Sequence, residues 1–198
     1  MRQWSTKKKV LALVGLSLCT WVAATMSWSH FYPAHQHCSK ALAAALMRYA
    51  QDHQGRYPSH TNGFGDALLL LVKTGDADVS LLVAPGDDGR IYNEFLTNGQ
   101  NVPEENCTRI YIQGLTDSLQ CDVAMMFDKR PTRGGDHFRS PWGTPMRDVV
   151  MSSGLVKFIP EKRWPIFASE QIEELVKLDL NRAELERLFG IKSEGIPR

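Results

Sequence analysis

The longest apolar stretch of the chain covers residues 10–28, with no charged side chain, a triplet Lys7, Lys8, Lys9 before it and an aromatic cluster of Trp28, Phe31 and Tyr32 at its far end. As a helix it would span about 28 Å, close to the hydrocarbon thickness of a bilayer, and Trp and Tyr suit the headgroup boundary. No Lys or Arg occurs between Lys9 and Lys40, so the basic flank is expected in the cytoplasm and the rest outside. A cleaved signal peptide is the rival, with Val22-Ala23-Ala24 as its processing site. The continuation of the run through Trp21 and Met26 to Trp28 exceeds an ordinary signal core and favours a retained anchor. A lipid-modified Cys19 is disfavoured because Leu18 stands where a small residue is needed.

Beyond a link over residues 29–38, the pattern turns amphipathic. Ser39-Lys-Ala-Leu-Ala-Ala-Ala-Leu-Met-Arg-Tyr-Ala-Gln-Asp-His53 is rich in helix formers, and Leu42, Ala45, Leu46 and Tyr49 fall on one face. Gly55 and Pro58 close this helix. Leu68, Leu71 and Val72 predict a second, short helix over residues 67–72, ended by Gly75, and the run 81–84 leads through Pro85-Gly-Asp-Asp-Gly89 into a surface loop. Strand signals follow: Thr108-Arg-Ile-Tyr-Ile-Gln113 alternates, Asp122-Val-Ala-Met-Met-Phe127 is a compact apolar run, and residues 149–159 read as two strands around Ser152-Ser153-Gly154. Three or four antiparallel strands are expected, with a long irregular connection over residues 129–145. Residues 169–188 read as two short helices or one kinked helix, with Ile172, Leu175, Val176 and Leu178 as its stripe, and Asn181 with Glu184 resembles a capping box.

Composition narrows the function. After the anchor, one domain of residues 39–198 is expected. Lys plus Arg is 23 against 22 for Asp plus Glu, so no charge excess points to a nucleic-acid track. Of the four cysteines, Cys19 lies in the apolar run; Cys107 and Cys121 could staple one hairpin, leaving Cys38 free, but an odd number outside the run leaves the pairing open. His35, His37 and Cys38 are the densest set of potential metal ligands, yet no fourth partner stands at a recognisable spacing, and a polar linker explains them as well. Asp136 and His137 could form an acid–base pair or a metal site, though sequence neighbours often point apart and a structural hydrogen bond is the simpler reading. Asp87 and Asp88 are too few for calcium, which takes six to eight oxygens. Hydrolase, nucleotide and zinc-protease signatures are absent.

In order, these segments resemble the pilin-like or pseudopilin-like proteins of the type II secretion or H-X9-DG kind, abundant in bacteria such as planctomycetes. The resemblance rests on Met47-Arg-Tyr-Ala-Gln-Asp-His-Gln-Gly-Arg-Tyr-Pro58 after the apolar run, on Ile110-Tyr-Ile-Gln-Gly-Leu-Thr116 leading to Ala124-Met-Met-Phe-Asp-Lys129, and on the closing Val149-Val-Met-Ser-Ser-Gly-Leu-Val-Lys-Phe-Ile159. It implies an α+β fold in which one long N-terminal helix, anchor first and amphipathic half second, packs on a small antiparallel sheet, followed by a C-terminal helix. The chain departs from the family pattern in its entry motif: Gly15 is followed by Leu16-Ser17-Leu18, and no Glu precedes Glu94. Ser153, Leu155 and Gly143 stand where the family usually carries Asp, His and His, and Ala84-Pro-Gly-Asp87 where related chains often carry Cys-Pro-Ser-Asp. Pro33 predicts a kink or neck near residues 29–36.

The organisation expected is therefore a basic cytoplasmic flank (1–9), a single transmembrane anchor (10–28), a link (29–38) and a periplasmic pilin-like domain (39–198) in the inner membrane. The expected role is a non-enzymatic component of envelope assembly or of a type II secretion-like system, without cofactor, metal or catalytic residue, whose partners are the membrane and other pilin-like or envelope proteins. The alternative is a tethered or secreted ligand-binding domain that uses the 129–145 loop.

Overall fold

The computed structural model describes residues 39–84, 87, 89–133 and 143–191. These all fall in one compact unit, Gln36–Arg198; a second unit, Met1–His35, lies outside the described residues together with the anchor, the Pro33 neck and the basic flank. Among the described residues no helix is long and apolar enough to cross a membrane.

The fold is α+β. The first described helix, α1 (Ser39–Asp52), is the amphipathic segment, with Leu42, Ala43, Ala45, Leu46, Tyr49 and Ala50 buried. Alanine, leucine and methionine lose little side-chain freedom in a helix, so the segment favours this state before any packing. It ends where Gln54 (φ 59°) and Gly55 (φ 78°) turn left-handed and the Gly55 amide returns to the Ala50 carbonyl at 2.8 Å. A side chain at Gly55 would run into the Asp117 carboxylate, so a residue with a Cβ is excluded on two grounds.

Helix α2 (Phe64–Lys73) is the predicted second helix, begun three residues earlier than its apolar run. Gly65 sits so close to the chain beyond that a Cβ there would lie 2.9 Å from the Cys107 sulfur. A 3-10 turn (Val79–Leu82) follows, and then a helix the patterning did not predict, α3 (Arg90–Asn98). The turn-forming cluster before it reads as the start of a loop, but Gly89 serves as the entry to the helix, Gly99 (φ 63°) ends it, and Tyr92 on its inner side is fully buried.

Five strands form one antiparallel sheet: β1 (Arg109–Tyr111), β2 (Ala124–Asp128), β3 (Thr132–Arg133), β4 (Pro145–Met151) and β5 (Val156–Pro160). β2 and β3 both pair along the same edge of β4, Phe127 opposite Val149 and Thr132 opposite Met146, so they act as one interrupted strand. The sheet thus has four ranks: β1, β2 with β3, β4, β5. The tight β4–β5 hairpin around Ser152-Ser153-Gly154 is as the sequence predicts. The connection expected to be irregular over residues 129–145 instead contributes β3; residues 134–142 lie outside the described set.

Both faces of the sheet are covered. The C-terminal part forms two helices, α4 (Trp164–Val176) and α5 (Arg182–Phe189), and Asn181 caps the second by accepting the Glu184 amide at 3.1 Å. Trp164, Phe127 and Phe189 stack together with centroids 4.5–5.8 Å apart, and the Trp164 indole donates to the Phe189 carbonyl. Phe127 and Val149 therefore face α4 and α5, while the alternate residues Met126, Asp128, Asp148 and Val150 face α1. This is why all five β2 residues are buried. The strand is interior on both sides, and a continuous apolar run is what such a strand needs.

Candidate functional site

Charge inside the protein is concentrated beneath the first described turn of α1. Arg109, Asp128 and Asp148 occupy one row across β1, β2 and β4: Arg109 is the register partner of Asp128, and the Asp148 amide donates to Asp128 Oδ2 at 3.3 Å. All three are 0% exposed, as is Ser39 above them. Arg109 Nη1 lies 3.3 Å from Asp128 Oδ1 and donates to Ser39 Oγ at 2.9 Å, and Ser39 Oγ in turn donates to Asp148 Oδ2 at 3.0 Å. The serine hydroxyl is thereby used as acceptor and donor at once, linking a guanidinium on β1 to a carboxylate on β4.

Removing an arginine and two aspartates from water is costly, and such a cluster persists only when its members satisfy one another. The guanidinium pairs with Asp128, the Ser39 hydroxyl passes the hydrogen bond on to Asp148, and the Asp148 amide donates to Asp128. Each of the four side chains is closed to solvent, which leaves the cluster no open face toward a dissolved molecule. Its chemistry is that of a joint: it ties a helix to three strands at a single point.

The cluster is not among the candidates raised by motif spacing. Arg109 belongs to the alternating segment whose polar positions look outward-facing, and Asp128 looks like the solvent-side end of an apolar run. The signal that identifies them is parity. Asp128 is two residues from Met126, and Arg109 two from Tyr111, so both share a face with side chains that are buried once α1 covers the sheet.

The residues that motif reading did single out are placed differently. His35, His37, Cys38, Asp88, Asp136 and His137 lie outside the described residues, and with Asp136 and His137 lies the centre of the loop on which a ligand-binding alternative would depend. Asp87 is exposed. Cys107 and Cys121 are free thiols, so the suggested staple between them is not formed. Cys107 is buried against the backbone of residue 103 and near Gly65, and burial pushes its thiol up to about 11. Cys121 lies on the loop leading into β2, on the far side of that strand from the Cys107 end. Among the described residues no group of three or more His, Cys, Asp or Glu is placed to hold a metal ion.

Two histidines carry defined contacts. His53 stacks on Tyr49 with centroids 3.8 Å apart and has its Nδ1 2.8 Å from the Tyr49 carbonyl, and it is exposed just past the last turn of α1. His60 lies 3.6 Å from Asp66, but both Asp66 oxygens are engaged elsewhere, accepting from the Val102 amide and from Asn62. Among the described residues neither histidine is paired with a nucleophile.

On the outside, the larger exposed apolar side chains include Met47 on α1 together with Leu155 and Phe158 on the β4–β5 hairpin. Met47 reaches over Gly154 at the hairpin turn, so this apolar strip runs along the line where α1 crosses β5. Among the described residues β5 is an edge strand, and Lys157 and Pro160 on it are devices that discourage indiscriminate strand addition. In comparisons with family models, curated proteins and solved structures, nothing matches this chain.

Proposed function

We propose that this chain is a membrane-anchored, pseudopilin-like component of a cell-envelope assembly or a type II secretion-like system, acting through surface contacts and without catalysis. The observation that carries the reading is the order of elements: an apolar, uncharged segment over residues 10–28, then an amphipathic helix whose buried stripe covers one face of an antiparallel sheet. That order supports a single inner-membrane anchor with its N-terminus in the cytoplasm and the domain of residues 39–198 in the periplasm. The closed charge cluster and free thiols add support of a weaker kind, since they are features of a scaffold more than of a reaction centre.

In this reading the anchor sets the place of the domain, and its partners are other pilin-like subunits or envelope proteins. The missing entry Glu implies that the subunit joins its partners through the domain surface instead of through the family's charge contact inside the membrane. The test is photo-crosslinking of the full chain in native membranes, with a crosslinker at Met47, Leu155 or Phe158. The expected product is a discrete crosslinked species with a pilin-like or envelope protein. Recovery of monomer alone from all three positions contradicts the proposal.

A further inference from the structure

We infer that the end of the domain where α1 begins is a docking surface for an anionic lipid bilayer, with Lys40, Arg130, Lys162 and Arg163 as its cations and Ile166 as its apolar contact. The inference rests on the anchored reading proposed above and adds an orientation of the domain that an anchor alone does not impose.

The strands bring these residues to one end. Asp148 near the start of β4 lies under Ser39, β2 ends at Asp128, and β5 ends at Pro160 opposite Met146. Lys40 is the second residue of α1, Arg130 stands two residues past β2, and Lys162 and Arg163 follow β5. All four therefore emerge at the same end of the sheet. Each is exposed, and among the described residues none has an ion pair. Glu161 beside them is taken by Arg147, and Glu104 by Arg187. Exposed Asp87 and Glu105 belong to the chain that leads into β1, so the cationic part is the half over β3, β4 and β5.

The opposite end has the other sign. Its exposed charges without an ion pair among the described residues include Asp52, Asp117 and Asp179 against Arg56, while Asp122 is paired with Lys157 and Glu174 with Lys177. The net charge of +1 for the whole chain conceals this separation.

Cations by themselves are ordinary surface, and what distinguishes this end is Ile166 in the first turn of α4. It is 60% exposed, the most of any large apolar side chain among the described residues, and Pro165 beside it is exposed as well. Cations next to an exposed apolar side chain match the two layers of a bilayer boundary, phosphates outside and acyl chains beneath. An acidic protein would satisfy the cations too, but chain length favours the bilayer. Ser39 is separated from the apolar run by residues 29–38, which fully extended span at most about 35 Å. A tether that short keeps this end before the membrane at high effective concentration, whereas any other partner arrives by diffusion.

The test uses the full chain in nanodiscs, with Cys19, Cys38 and Cys121 replaced by serine and buried Cys107 retained. A donor dye is placed on Thr144→Cys, at the docking end, or on Ser153→Cys, at the other, and an acceptor dye on the lipid headgroups reports approach. The discs are phosphatidylcholine alone, or two parts phosphatidylcholine to one of phosphatidylglycerol. Transfer from residue 144 should rise in the anionic discs and return to the neutral-disc level in high salt, while transfer from residue 153 stays low in both. Lys162→Gln with Arg163→Gln should lower the docked-to-undocked ratio about 25-fold, or about fivefold for each cation removed. Ile166→Ser should lower it without changing its salt dependence, and Arg56→Gln should leave it unchanged. Equal transfer from residue 144 in the two kinds of disc overturns the inference and directs these cations to an acidic protein instead. An equal rise at residue 153 overturns it as well. A chain that does not enter the neutral discs at all overturns the anchored reading, and the inference with it.

Discussion

On the face of the sheet that carries Phe127 and Val149, α4 and α5 are held by interlocking rings; on the face that carries Asp128 and Asp148, α1 is held by leucine, alanine and tyrosine side chains and a buried charge cluster. The first attachment is specified by shape. Trp164, Phe127 and Phe189 differ from everything around them, and Arg147 stacks over the Trp164 ring at 4.5 Å, so no other seat accommodates these helices. The second combines shape and charge: Leu42, Leu46 and Tyr49 fill seats between close-packed alanines, and Ser39 of the same helix is hydrogen bonded to Arg109 and Asp148 beneath it. The difference teaches that two faces of one sheet can be closed by different means, one chiefly by aromatic rings and the other by aliphatic packing around a polar contact that satisfies itself.

The largest expected break falls on the aromatic face. Phe127→Ala should cost about 3–5 kcal/mol in denaturant unfolding of the full chain, and hydrogen exchange should rise in α4 and α5 before it rises in α1. On the opposite face Arg109→Met, which leaves buried Asp128 without its guanidinium and Ser39 without a donor, should cost about 3 kcal/mol. Replacing Arg109, Asp128 and Asp148 together by Met, Leu and Leu should recover most of that loss, because no uncompensated charge remains. If the triple replacement is as unstable as the single one, the cluster contributes stability outright, and the contrast between the two faces fails.

The sequence made the apolar half of this comparison legible and hid the polar half. The stripe of α1, the β4–β5 hairpin and the cap at Asn181 all rest on local periodicity or turn chemistry, which act within a few residues. The cluster depends on pairings across 70 and 109 residues, and each member reads locally as an ordinary surface charge. Helix α3 was hidden for a different reason: its nine residues follow a dense group of turn formers, and Gly89 can end a loop as readily as extend one. The anchor, strongest of all sequence signals, belongs to residues outside the described set.

Smaller perturbations sharpen the contrast. Asn181→Ala should cost about 1 kcal/mol by leaving the Glu184 amide without its cap, and should loosen α5 while leaving α1 unaffected. The Arg147–Glu161 pair, which flanks the aromatic face, should contribute less than about 1 kcal/mol because Glu161 is partly exposed. The Arg147 guanidinium, hydrogen bonded to Glu161, holds that carboxyl below its ordinary value. A carboxyl lowered in the folded state contributes stability above the unfolded value and loses it as pH falls through the folded one. Acid titration of unfolding free energy should therefore show a slope below the ordinary glutamate range that is reduced in Glu161→Gln. The smallest effect is chemical: in the folded chain an alkylating agent near neutral pH should modify Cys121 well before Cys107, whose thiol burial holds protonated.

Every functional statement about this chain turns on whether the segment over residues 10–28 remains attached to the domain that α1 opens. Intact mass of the protein extracted from membranes under non-reducing conditions measures this directly. The account predicts an uncut N-terminus and a mass that leaves the Cys107 and Cys121 thiols free. A chain beginning after Ala24, recovered from the soluble fraction, would contradict it and make the domain an exported, untethered one.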